Sequence, residues 1–219
     1  MDDKELIKSI IKKIIDKTFD VIREIYENQK ESNGQGHDLT KTNSLIIFPK
    51  YRDETDRISE QELRFIFVEQ FYEYKKEVEE AKEYWPNLYY SVEVPTKNTY
   101  IFSKKKDGPK VVEGTDEKGV SARTDLVIYK KKDSQFIREA LIEFKALNPA
   151  NENYQKDFCK LENENEDNAL KYFIQIIKNC DKSTIDSLKG KIASKTPDTI
   201  YRCCCLEGGK KEITKEIIE

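Results

Sequence analysis

Four side chains in this sequence have the types and spacing to do chemistry together: Glu60, Asp125, Glu143 and Lys145. Glu143 and Lys145 stand two apart in the apolar run ALIEFK, so on a strand both project to one face. Asp125 opens the preceding apolar run, DLVIY. If the two runs are neighbouring strands, its carboxylate meets Glu143 at one end of a sheet. Two converging carboxylates repel each other unless a cation lies between them, and hard oxygen donors suit Mg²⁺ or Mn²⁺. The backbone carbonyl of Phe144 offers a further ligand. A lysine beside such an ion can contact a phosphate and orient an attacking water. Glu60 could accept a proton, or hold a second ion directly or through water. Taken singly, each is ordinary surface salt-bridge material, and only the combination points to a site.

The elements that must position these groups can be read from periodicity. Ser59 is a good N-cap with Glu62 as its capping-box partner, predicting a helix over residues 60–84. Leu63, Ile66, Phe67, Phe71 and Tyr74 form its apolar face, and at 100° per residue Glu60 falls near the middle of that face while Glu62 falls off it. An unpaired carboxylate on a buried face is costly, which argues for a partner at Glu60. Residues 88–94 read as a strand ended by Pro95, with 98–103 a further strand or the return arm of a hairpin. Strands over 125–129 and 136–145 follow, then a helix over 151–166 with Tyr154, Phe158 and Leu161 inward. A strand over 171–178, a helix capped by Ser183, a strand over 198–206 and a short terminal helix complete the reading. Strands alternating with helices predict an α/β layered sheet.

Upstream, isoleucines at three- and four-residue steps mark an amphipathic helix over 4–27. It packs on its own domain, or pairs with its twin in a homodimer or with a partner chain. The domain division expected is 1–55, helix and loop, and 56–219, the α/β domain. His37 is the one histidine and lies in the polar loop, so a Ser-His or Cys-His enzyme has little support. Charged residues make up 37% of the chain, with 39 Lys+Arg against 42 Asp+Glu, so any nucleic-acid affinity needs local basic clusters. Lys104, Lys105 and Lys106 in a turn-rich loop, and Lys160 on the helix after Lys145, are the candidates for phosphate contact. No apolar run approaches the roughly 20 residues that span a bilayer. An odd count of five cysteines does not look like a disulfide framework and suits a cytoplasmic protein, while the consecutive run at 203–205 lacks zinc-finger spacing and reads as small buried hydrophobes on a strand.

Thr124-Asp125, seventeen intervening residues and then Glu143-Phe144-Lys145 resemble the signature of the PD-(D/E)XK nuclease superfamily, with Thr124 where its name-giving proline stands. The resemblance covers residues 57–178, includes the upstream helix acid Glu60, and implies a restriction-endonuclease-like mixed sheet flanked by helices. It further implies Asp125 and Glu143 as metal ligands, Lys145 as the catalytic lysine and Glu60 as the auxiliary acid. The activity implied is Mg²⁺- or Mn²⁺-dependent hydrolysis of phosphodiester bonds, in DNA rather than RNA, in the setting of restriction or phage defence. The alternative is a catalytically silent fold of this kind serving as a nucleic-acid-binding or protein-interaction module.

Overall fold

Period-two and period-3.6 apolar patterns resolve into two helical layers around one sheet. The computed structural model describes residues 2–31, 44–102, 108–112, 119–147, 149–164, 168–192, 198–208 and 212–215. Among these, the helices are α1 (Asp3–Glu31), α2 (Glu60–Glu80), α3 (Asn151–Asn163) and α4 (Lys182–Ile192). The strands are β1 (Leu88–Phe102), β2 (Pro109–Val111), β3 (Val120–Lys132), β4 (Gln135–Ala146), β5 (Leu170–Asn179), β6 (Thr199–Glu207) and β7 (Glu212–Thr214). They form a single mixed sheet in the order β2-β1-β3-β4-β5-β6-β7. Neighbours are antiparallel except β4–β5 and β5–β6, which α3 and α4 connect as parallel crossovers. Both crossovers step the same way across the sheet, so both helices land on one face.

Alternation along the central strands sends Leu126, Ile142, Phe144 and Ile174 to the α1/α2 layer. Val127, Leu141, Phe173 and Tyr201 go to the α3/α4 layer. The isoleucine stripe of α1 is consumed inside the chain: Ile11, Ile14, Ile15 and Ile22 are all fully buried. Burying each such side chain is worth about 1.5–3 kcal/mol, so α1 shares one core with α2 and the sheet instead of standing apart from it. Of the two sequence-level options for this helix, packing within its own chain is the one found.

Several boundaries differ from expectation. Pro95 does not end β1, which continues to Phe102 across an irregularity between Pro95 and Thr99. Among the described residues β2 pairs only with Tyr100–Phe102, so no described ladder on that side of Pro95 needs its missing N–H. Glu164, at the end of α3, fills the irregularity by accepting from the N–H groups of Lys97 and Asn98 and from the Tyr100 hydroxyl. Helix α4 is capped by Asp181, whose carboxylate accepts from the Thr184 N–H at 2.7 Å, and not by Ser183. Residues 212–214, within the ten-residue terminal helix that was expected, make a strand on β6, while 216–219 lie outside the described residues. Cys180 and Cys205 form a disulfide with a Cα separation of 6.1 Å, against the expectation of unpaired thiols. Cys203 and Cys204 are, as read from the sequence, buried and free. No described helix is long and apolar enough to cross a membrane.

Candidate active site

The site forms where two hydrogen-bonded strands part. β3 and β4 pair as far as Leu126–Ile142 and then diverge. Past that point Thr124 pairs with Val94 of β1, while Glu143, Phe144 and Lys145 pair with Phe173, Ile174 and Gln175 of β5. One step beyond the last rung, Asp125 stands opposite Glu143. Strand alternation puts both on the α3 side with Val127 and Leu141. The Asp125 carboxylate braces the gap, its Oδ2 accepting the Phe144 N–H at 2.8 Å.

Glu143 is completely buried, and its Oε2 accepts a hydrogen bond from Lys160 Nζ at 2.7 Å. From there an alternating series of ion pairs crosses the site. Lys160 Nζ lies 3.0 Å from Asp157 Oδ1, Asp157 Oδ2 lies 2.6 Å from Lys145 Nζ, and Lys145 Nζ lies 3.1 Å from Glu60 Oε1. Glu60 arrives from the opposite layer, on the first turn of α2, and is half-exposed. Its neighbour Glu62 is directed elsewhere, to the Ser59 hydroxyl and to Arg57 at 3.1 Å. The expected capping box is therefore incomplete, since Ser59 pairs with the Glu62 side chain and caps no backbone N–H.

Burial dominates the electrostatics. It pushes the Glu143 carboxyl well above the usual glutamate range, with Asp157 and Asp125 adding to the effect and Lys160 only partly offsetting it. Asp125 is raised for the same reason, opposed by the Phe144 N–H. Burial alone would pull the two lysines down. Asp157 and Glu60 outweigh it at Lys145, and Glu143 and Asp157 outweigh it at Lys160, so both are held firmly protonated.

The open side is a small cleft of about 70 Å³ lined by Glu60, Gln61, Arg64, Glu93, Asp125 and Phe144. At its mouth Arg64 pairs with Glu93, and Arg123 approaches the same carboxylate at 4.0 Å. Two guanidinium groups share one acid there, leaving a positive margin above an acidic interior.

Does the donor set fit a divalent cation? Four carboxylates (Glu60, Asp125, Glu143, Asp157) face two ammonium groups (Lys145, Lys160), a net of −2 when all are ionised. Glu143 Oε1 is buried with no hydrogen-bond partner among the described residues. Both observations suit one hard dication beside Asp125 and Glu143. Against a ready-made cage, no group of three or more His, Cys, Asp or Glu side chains among the described residues is placed to hold a metal. Lys145 and Lys160 stand between the acids instead.

The structure thus gathers Glu60, Asp125, Glu143 and Lys145 at one end of the sheet. Phe144 meets Asp125 through its N–H. Lys160, expected at a phosphate, is buried and committed to two carboxylates and the Arg123 carbonyl, because the acids of the interior demand a cation. Lys104, Lys105 and Lys106, like His37, lie outside the described residues. Sequence reasoning missed Asp157, Arg64 and Arg123. Asp157 was within reach, since helical projection puts it on the shoulder of the face formed by Tyr154, Phe158 and Leu161. Comparison with protein-family models, with curated proteins and with solved structures found no match.

Proposed function

We propose that this protein is a metal-dependent nuclease that hydrolyses phosphodiester bonds, with DNA as its substrate. The observation that carries this reading is the placement of Asp125 opposite Glu143, one step past the last β3–β4 rung, with Lys145 close by and an orphaned buried oxygen on Glu143. Asp125 and Glu143 would hold Mg²⁺ or Mn²⁺, with the Phe144 carbonyl as a further donor and Glu60 reaching a second ion directly or through water. When bound, such an ion supplies Lewis-acid stabilisation of the charge that develops on the phosphate.

The chain's own groups do the rest. Lys145, held protonated by Asp157 and Glu60, donates to a phosphate oxygen and orients the attacking water. Where it does not hold that second ion, Glu60 accepts the water's proton at the open edge of the cleft as the water oxygen bonds to phosphorus. The leaving oxygen departs with the bonding pair and takes a proton from solvent. Arg64 and Arg123 at the mouth suit the phosphates on either side of the scissile one, which answers the lack of a global basic excess.

Supercoiled plasmid incubated with the protein and Mg²⁺ or Mn²⁺ should be nicked and linearised. Asp125→Asn, Glu143→Gln and Lys145→Met should each slow this by roughly 10²–10³-fold. Wild-type rates in those variants would refute the assignment, and a matched RNA substrate tests the preference for DNA. A second reading, a silent fold that binds without cutting, is favoured by the two lysines that already occupy the acidic interior. That reading requires no Mn²⁺ uptake dependent on Asp125 and Glu143, which calorimetry decides.

A further inference from the structure

Lys160 supplies the cation that the buried Glu143 carboxylate faces in this structure. Its Nζ has three oxygens around it: Glu143 Oε2 at 2.7 Å, Asp157 Oδ1 at 3.0 Å and the Arg123 carbonyl at 2.9 Å. Two carboxylates and a backbone carbonyl are also what a hard divalent ion would recruit. We propose that Lys160 is a resident counter-ion. Its ammonium group holds the place of the divalent ion in the metal-free protein, and it must leave Glu143 for that ion to bind. The proposal rests on the metal-dependent reading of the site and adds a residue that sets how tightly the ion is held.

Three features support displacement over permanent occupancy. The ammonium group neutralises one oxygen of Glu143 and leaves Oε1 unpartnered, so the carboxylate is only half served. With all four carboxylates ionised, the cluster carries −2 with both lysines in place, so a dication that binds there is balanced while Lys160 moves only as far as Asp157. Asp157 also gives Lys160 somewhere to go, because it already lies 3.0 Å from the ammonium group and can keep it after Glu143 is released. A four-carbon stem allows that short swing without moving α3. Without such a stand-in, the buried Glu143 would lose the charge that offsets its repulsion from Asp125 and Asp157 whenever metal was scarce.

If Lys160 competes with the ion, the observed affinity is reduced by the fraction of molecules in which it occupies the site. Calorimetric titration of the full chain with MnCl₂ tests this in the wild type, Lys160→Met and Lys160→Arg. Lys160→Met, which keeps the stem and removes the charge, should bind Mn²⁺ at least about tenfold tighter than wild type, while Lys160→Arg should not. Equal or weaker binding by Lys160→Met alongside wild-type uptake overturns the counter-ion role and leaves the metal site standing. Failure of both wild type and Lys160→Met to take up Mn²⁺ overturns the role and the metal-dependent reading together. Should Lys160→Met prove unfolded without metal, the wild type can be followed by ¹³C-lysine NMR during Mg²⁺ titration, with the Lys160 ε-carbon signal identified by its absence in Lys160→Arg. A marked shift of that signal at saturation supports displacement. A signal that stays put while Mg²⁺ saturates overturns it, and absence of Mg²⁺ binding overturns the role and the metal-dependent reading alike.

Discussion

Two ion networks lie on opposite faces of the same sheet, and they differ in balance. On the α1 face Arg202 of β6 lies 2.6 Å from Asp16, grips Glu212 of β7 with two nitrogens, and Lys12 closes on Asp16 at 2.8 Å. Two cations meet two acids, the carboxylates keep access to solvent, and the result is a clamp fastening α1 to β6 and β7. On the α3 face three acids, joined by Glu60 reaching in from the α2 layer, meet two lysines, and one carboxylate oxygen is left over. A balanced network fastens elements together, whereas an unbalanced one asks for a ligand. Size is a poorer guide than balance. A cavity of about 360 Å³ beside Arg202 is much larger than the cleft of about 70 Å³ at Asp125.

The comparison breaks most visibly in activity. Glu143→Gln should lower plasmid cleavage by roughly 10²–10³-fold, whereas Glu212→Gln should leave the rate unchanged. Comparable losses in both would erase the distinction between the networks. In stability the order is expected to hold with a smaller gap. Lys160→Met leaves Glu143 buried and uncompensated and should cost about 3 kcal/mol in the metal-free protein by denaturant unfolding, recovered on adding Mn²⁺. Arg202→Met leaves acids that water can reach and should cost only about 1–2 kcal/mol, with no recovery by Mn²⁺. The smallest effect concerns pH. Burial would raise the Asp16 carboxyl, but Arg202 and Lys12 outweigh it and hold it below its ordinary value of 3.8. A carboxyl lowered by folding stabilises above its unfolded pKa, and that contribution is lost as the pH falls through the folded one. Asp16→Asn should therefore be slightly less stable than wild type at neutral pH, and the difference should close as the pH drops below 3.8.

Much of the acidic interior was legible because it obeys simple periodicities. Strand alternation put Glu143 and Lys145 on one face, and helical projection chose Glu60 over Glu62. What escaped needed information no local pattern holds. Lys160 was picked out but given a phosphate instead of Glu143, because only the crossover of α3 over β4 brings the two together. Asp157, on the shoulder of the apolar face of α3, looks solvated until that crossover is known. Arg64 and Arg123 converge because β1 brings Glu93 between them. At three residues each, β2 and β7 are too short for a period to register. The Cys180–Cys205 bond joins residues 25 apart, and cysteine spacing alone does not assign partners. Pro95 misled because its penalty depends on which edge of the strand is paired, a property of the sheet and not of the residue.

The brace between Asp125 and the Phe144 N–H has a consequence for how this protein can be dissected. A knockout by alanine at position 125 would do two things at once: delete a charge and unfasten the seam that the carboxylate keeps from gaping. The amide thus stranded is itself a destabilising loss of about 1–3 kcal/mol. An inactive Asp125→Ala protein would therefore say little about chemistry. Asparagine keeps a carbonyl oxygen to receive the N–H while abolishing the charge, so the tailor's stitch and the ligand come apart only in that substitution.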